Sequence, residues 1–303
     1  MMKLLLRWLM RLVLVVLALA IALVAYVYIA SGRLMARTYR VDQVPRVTLR
    51  SDPASLARGK YLFERVAVCA ECHGEDSGGK VVQSSFAMGT LVSANLTRGQ
   101  GGVGATDSDE DMVRAITHGV KRDGRSVIFM PSADYQFTEA DLGSILGYVR
   151  SLPPVDRTPP PTTVGPMARA LGLFTDFPLA PAARIDHANV RLAPSPDPGN
   201  QAAAGGVVIS TAGCRGCHGP NFTGGGGPPP GASNITPVGI GDWTEQQFLT
   251  AIRDHKRPNG STIDEAMPRL YGQMSDDDLR AAYAFLKTVA PAGEKTPNQK
   301  KGG

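Results

Sequence analysis

The chain opens on an uncharged apolar run at residues 12–30, with no polar stripe to give it a wet face. As a helix rising 1.5 Å per residue it would extend about 28 Å, close to the hydrocarbon thickness of a bilayer. Beyond it, apolar residues recur in short bursts at helical spacing. Asp52-Pro53 predicts a helix start with proline at the first helical position, continuing through Leu56, Leu62, Phe63 and Val66. Gly59 and Phe63, four residues apart, share one face of it. Residues 107–119 predict a second helix with Met112, Val113 and Ile116 as its stripe. Thr138-Glu139-Ala140-Asp141 opens a third, carrying Leu142, Ile145, Leu146 and Val149 until Pro153 stops it. A glycine- and serine-rich loop containing Asn95-Leu96-Thr97 separates the first two.

The second half repeats this order. Residues 205–211 are a short helical lead, and a Gly/Pro loop holds Asn234-Ile235-Thr236. Residues 244–255 carry Phe248, Leu249 and Ile252 on one face, and Ser275-Asp276-Asp277-Asp278 opens a last helix with Leu279, Tyr283, Phe285 and Leu286. One offset of 137 residues maps His118 onto His255, Met130 onto Met267 and Leu142 onto Leu279, the register of a duplicated domain. The pattern divides the chain into an amino terminus and transmembrane anchor (1–32) and a basic membrane-proximal linker (33–51). A first domain (52–153), a proline-rich connector (154–200), a second domain (201–290) and a flexible tail (291–303) follow. The connector reads as stiff and extended, with a short helix at its apolar middle, 167–174, lying across one or both domains.

Charge changes the picture at the amino terminus. Residues 1–50 hold eight basic side chains against Asp42 alone, so the net charge of +5 leaves −2 for the remainder. The basic character therefore belongs to the segment facing lipid head groups, and the rest has no basic footprint for nucleic acid. An uncleaved anchor is expected, because the run exceeds the core of a signal peptide. Tyr26 and Tyr28 stand where an interfacial aromatic belt would lie.

The chemistry lies in the cysteines. Cys69-Ala70-Glu71-Cys72-His73 has two thiols three positions apart and an imidazole directly after, the pattern of c-type haem attachment. Each thiol can add to one vinyl group of a porphyrin, and the histidine then lies under the iron. A redox dithiol would not need the histidine, and structural zinc would ask for four ligands. The motif returns as Cys214-Arg215-Gly216-Cys217-His218, and the two copies use all four cysteines, so no disulfide is expected. Two covalent haems c are predicted. They place the domains outside the bacterial cytoplasmic membrane, in the periplasm, with the amino terminus inside.

With C-x-x-C-H, Asn-Leu/Ile-Thr, Met-Pro and an aromatic final helix (Tyr148 or Phe285) in both halves, residues 53–152 and 201–290 resemble class I cytochrome c domains. The whole resembles membrane-anchored di-haem cytochromes c. Similar domains form the multi-haem cytochrome subunits of membrane-bound bacterial dehydrogenases. The resemblance implies an all-α fold, a transmembrane helix followed by two tandem domains, with the Gly59/Phe63 face packed near Tyr148. Gly205 and Ile209 are a weaker counterpart in the second copy.

His73 and His218 need partners across the iron, and Met130 and Met267, each before proline and the closing helix, are the candidates. A thioether favours ferrous iron and raises the potential. Core filler is the bland alternative for these methionines. His118 and His255 are rivals for the same role, or else interact with helix-terminal carbonyls. Asn95 and Asn234 either hydrogen-bond a haem propionate or hold their loops. Tyr135 and Tyr271 either donate to a propionate or pack in the core. Trp243 is expected to pack, and His187 to be solvated.

The function expected is single-electron relay between a membrane-associated donor and an acceptor, without bond chemistry. Partners would be a quinol-linked complex, a dehydrogenase, an oxidase or a soluble cytochrome. A dehydrogenase subunit is the alternative; a di-haem peroxidase or a sulfur-compound oxidoreductase would need an open iron site, against the two methionines in register.

Overall fold

The computed structural model describes residues 2–226 and 231–294. Helix α1 (Met2–Ala36) is long and apolar enough to cross a membrane, and it continues four residues past the expected anchor boundary. Its side chains are exposed until Val27 and Ser31, which are buried against the connector.

Domain 1 begins where Asp52 caps α2 (Pro53–Tyr61), its carboxylate accepting from the Ser55 amide at 3.0 Å. The helix widens into a π turn (Leu62–Val66) before α3 (Cys69–His73). Helices α4 (Asp109–His118) and α5 (Glu139–Ser151) follow, capped by Ser108 and Thr138. Leu62, Phe63, Leu142 and Leu146 form the sealed centre, each no more than 2% exposed. The expected close approach is present: a Cβ on Gly59 would overlap the Ser144 carbonyl, and Phe63 meets Tyr148 edge-on at 5.7 Å.

The loop after His73 is not wholly irregular. Strands β1 (Val81–Ser85) and β2 (Gly89–Val92) form an antiparallel hairpin that sequence reading missed. The run Val81-Val82-Gln83-Ser84-Ser85 is exposed throughout, so it carries no alternation of buried and polar positions to read. The fold is otherwise helical.

The connector wraps domain 1 rather than bridging the two domains. Its helix α6 (Pro166–Phe174) lies on α1, with the Arg169 guanidinium 3.0 Å from Ser31 Oγ and stacked over the Tyr28 ring. The basic linker is strapped down as well. The Tyr39 amide donates to the Gly124 carbonyl and the Arg50 amide to that of Gly143. A Cβ at Gly147 would collide with the Arg50 carbonyl, so this groove on α5 needs glycine.

Domain 2 comprises α7 (Gln201–Thr211), α8 (Arg215–His218), α9 (Pro237–Ile240), α10 (Glu245–Asp254) and α11 (Asp276–Thr288). Here the counterpart of the Gly59 contact is strong: a Cβ on Gly205 would overlap the Ala281 carbonyl. The repeat register needs one correction. The caps of α4 and α10, Ser108 and Thr244, differ by 136, and so do the turns Val120–Ser126 and Lys256–Thr262. His118 is the last residue of its helix, whereas His255 is the left-handed cap beyond the next, so the two histidines are not equivalent. The second copy gains one residue before Met267. Of the expected tail, residues 295–303 lie outside the described residues, but the Ala292 and Glu294 carbonyls are held by Asn234.

Gly205→Ala should lower the denaturation midpoint of the protein by the equivalent of about 1–3 kcal/mol, because the opposing atoms are backbone and cannot turn away. Gly206→Ala is the control, its Cβ meeting only the edge of the Phe285 ring at 3.2 Å. Equal midpoints for the two variants would refute the close-approach account.

Candidate functional site

Each domain encloses an apolar cavity, of about 570 Å³ in domain 1 and about 210 Å³ in domain 2. The first is lined by Cys69 and His73 and by Met130. The second brings together Cys214, Cys217, His218 and Met267. The chain enters both attachment turns through a left-handed residue, Val68 at φ +47° and Gly213 at φ +66°. At Gly213 that conformation is easy; at β-branched Val68 it is strained.

The imidazoles are oriented by backbone. His73 Nδ1 lies 2.9 Å from the Ala94 carbonyl, and His218 Nδ1 lies 2.7 Å from that of Ser233. The carbonyl fixes the proton on Nδ1 and leaves the Nε2 lone pair for a metal. Burial holds both imidazoles below the ordinary histidine value, in the neutral form that ligation requires. Burial, and then the second thiol of each pair, pushes Cys69 and Cys214 up to about 12. A redox dithiol needs a stabilised thiolate, and burial works against one here. Cys69 in domain 1, with Cys72 exposed beside it, and both thiols in domain 2 share an apolar lining with a neutral imidazole and a thioether, a set that fits a covalently attached haem.

The bonds of the two asparagines are those of the loop-holding alternative. Asn95 is fully buried, and its amide donates to the Val155 and Arg157 carbonyls at 2.7 and 3.0 Å. Its Oδ1 accepts from the Thr97 amide and hydroxyl. Asn234 repeats this with Ala292, Glu294 and Thr236. Both amide hydrogens are committed to backbone carbonyls. Each asparagine ties the loop that orients the imidazole to the chain leaving the closing helix. Tyr135 and Tyr271 line the cavities, but their hydroxyls donate to the Ala67 and Ala212 carbonyls at 3.0 and 2.7 Å. They therefore brace the approach to each attachment turn.

Neither His118 nor His255 lines either of these two cavities. His118 is buried with its Nδ1 3.1 Å from that of His187, and the rings stack. His187 is thus packed against His118 and Tyr39 rather than solvated, because the connector folds back onto domain 1. Trp243 lines the second cavity as well as packing. Sequence reading missed Arg257, a 7%-exposed cation on that lining, and Lys121 and Arg122 on the first. Lys121 and Arg257 share the 136-residue offset of the capped helices, a signal hidden by the offset of the methionines.

The two sites meet at the domain interface. A Cβ on Gly213 would stand 2.9 Å from the Tyr135 ring, and one on Gly216 would stand 2.8 Å from Asp134 Oδ2. Across the same seam, Tyr271 is pushed well up by burial and then by Cys214, Cys217 and Cys69 of the other domain. The Tyr61 hydroxyl donates to Asp278 at 2.7 Å and accepts from the Ser275 amide, joining α2 to the start of α11.

Asn95→Ala would remove the donor to the Arg157 carbonyl and strand the buried Thr97 amide, a loss of about 1–3 kcal/mol. Faster proteolysis of residues 153–165 and a lower denaturation midpoint are expected. An unchanged midpoint with a shifted reduction potential would instead identify Asn95 as a cofactor ligand.

Residues 202–290 match the family model described as cytochrome c, and residues 54–149 match that of cytochrome c oxidase, cbb3-type, subunit III. The chain is 27% identical over 283 residues to the cytochrome c subunit of a quinone-dependent alcohol dehydrogenase of Gluconacetobacter polyoxogenes, covering 80% of this chain and 57% of the relative. It is 28% identical over 289 residues to a fructose dehydrogenase cytochrome subunit of Gluconobacter japonicus, covering 82% and 56%. A gluconate 2-dehydrogenase cytochrome c subunit of Pantoea cypripedii is 41% identical over 68 residues, 21% of this chain and 15% of the relative. The chain thus spans little more than half the length of the two long-matching relatives. Two mostly helical domains, each with its attachment motif on an apolar cavity and each matched over its own span by a cytochrome model, are cytochrome c domains in tandem, a domain type that implies covalent haem c.

Proposed function

We propose that the chain binds two haems c and relays single electrons outside the cytoplasmic membrane, held there by α1. The observation that carries this reading is the cavity lining: in each domain an oriented imidazole and a methionine thioether border the same apolar space. Cys69 and Cys72, and Cys214 and Cys217, are the attachment thiols. His73 with Met130, and His218 with Met267, would hold the iron of the two bound haems. A bound haem would supply a one-electron couple, and a thioether ligand raises its potential.

The protein's part is to hold and tune. The Ala94 and Ser233 carbonyls fix imidazole orientation, and the apolar walls exclude water. Arg257 in domain 2, and Lys121 and Arg122 in domain 1, are the cations available to propionate carboxylates. Electrons pass between the two sites through the seam at Tyr135 and Tyr271, which brings the attachment turns of the two domains close. With a methionine ligand at both sites, a bound haem would have no position open to peroxide or a sulfur compound. The names of the relatives support a dehydrogenase as the donor-side partner.

Each of Met130→Ala and Met267→Ala should remove part of the methionine-specific charge-transfer absorbance of the ferric protein and lower one of two reduction potentials. Covalent haem content should stay at two per chain. Persistence of the band in the double variant would overturn the ligand assignment, and one haem per chain would overturn the relay.

A further inference from the structure

Apart from the side chains of α1, the large apolar side chains left exposed among the described residues are Val81, Val82, Phe86, Met167 and Phe174. They are not scattered. Val81, Val82 and Phe86 belong to the β1–β2 hairpin, and Met167 and Phe174 to α6. The two elements are stitched together: the Met167 amide donates to the Ala87 carbonyl at 2.9 Å, and the Gly165 amide to that of Met88 at 3.0 Å. Thr163 donates to the Thr90 carbonyl at 3.0 Å. Phe86, one residue before that seam, is 92% exposed.

The height of this patch is set by α1. Arg169 of α6 is bonded to Ser31 and stacked on Tyr28, and Val27 is buried beside them. Those residues form the outer end of the 12–30 apolar run, so α6 and the hairpin stand at the level of the lipid head groups. Charge agrees. Residues 77–106 and 157–175 contain no aspartate or glutamate but include Lys80, Arg98, Arg157 and Arg169. An apolar tip flanked by Lys80 and Arg98, with the bordering Asp76 and Asp176 ion-paired to Arg157 and Arg184, suits an anionic bilayer interface.

We propose that the hairpin tip and α6 form a second membrane contact, with Phe86, Met167 and Phe174 seated in the interfacial layer of the bilayer that α1 spans. The contact rests on α1 being the anchor. It fixes the tilt of domain 1, since one helix alone would leave the domain free to swing about a single attachment.

The test uses the full-length holoprotein in nanodiscs of phosphatidylethanolamine and phosphatidylglycerol, doped with a phospholipid bearing a diazirine high on its acyl chain. After irradiation, adducts are mapped by peptide mass spectrometry. Adducts are expected on α1 and also on the peptides carrying Phe86 and α6. Phe86→Asp with Phe174→Asp should cut the latter at least fivefold and leave α1 labelling unchanged. Adducts confined to α1 would overturn the second contact while the anchor stands. Loss of labelling from α1 as well would overturn both. Protection of Phe86 and α6 by a co-purifying subunit, without lipid adducts, would assign the patch to a protein and overturn the proposal.

Discussion

The hydrogen bond from each oriented imidazole to a loop carbonyl is the contact on which the rest of each domain depends. A carbonyl can hold an imidazole only if its own loop is rigid. In both domains the next residue along is a buried asparagine, Asn95 after Ala94 and Asn234 after Ser233. That side chain uses both donors and its acceptor to lock the loop onto a threonine and onto the chain leaving the closing helix. The imidazole, the loop and the helix exit thus form one chain of bonds. Disturbing the peptide after α5 or α11 would be felt at the histidine, some distance away, through one side-chain amide, Asn95 or Asn234.

Duplication supplied more than a second site. The first helix of each copy touches the start of the other's closing helix, through Tyr61 with Ser275 and Asp278, and through Gln136 with Ser210 and Thr211. This reciprocal exchange presses the attachment turns toward one another. Glycine at 213 and 216 is what admits Tyr135 and Asp134 so closely. The apolar interior runs on from one domain into the next as a single cluster, and relative motion of the two copies would have to break it. For a relay, a rigid seam keeps the spacing of its two centres constant.

Domain 1 carries a further constraint. The linker on one side and the connector on the other are both laid along it, and α6 ties the connector to the end of α1. The anchor is therefore continuous with the body through packing as well as covalently. Surface ion pairs such as Arg157–Asp76 contribute little to this arrangement beside the carbonyl contacts and close glycine approaches.

The sequence by itself determined the local features: the attachment motifs, the helix caps at Asp52, Thr138 and Ser275, the apolar stripes, and the duplication. Each depends on residues within one turn or one motif, so periodicity and spacing display them. It also singled out Met130 and Met267 by position alone. What only the tertiary structure decided were features made by backbone or by distant partners. The Ala94 and Ser233 carbonyls leave no side-chain signature. The work of Asn95 and Asn234 shows only when residues 58 to 62 positions away arrive beside them. The exposed hairpin had no buried face to pattern it. His118 and His255 looked equivalent because one inserted residue before Met267 restored the spacing, and only the caps of α4 and α10 revealed the shift. Local chemistry is written in neighbouring letters, whereas a site's orientation is set by whichever carbonyl the fold brings within hydrogen-bond reach.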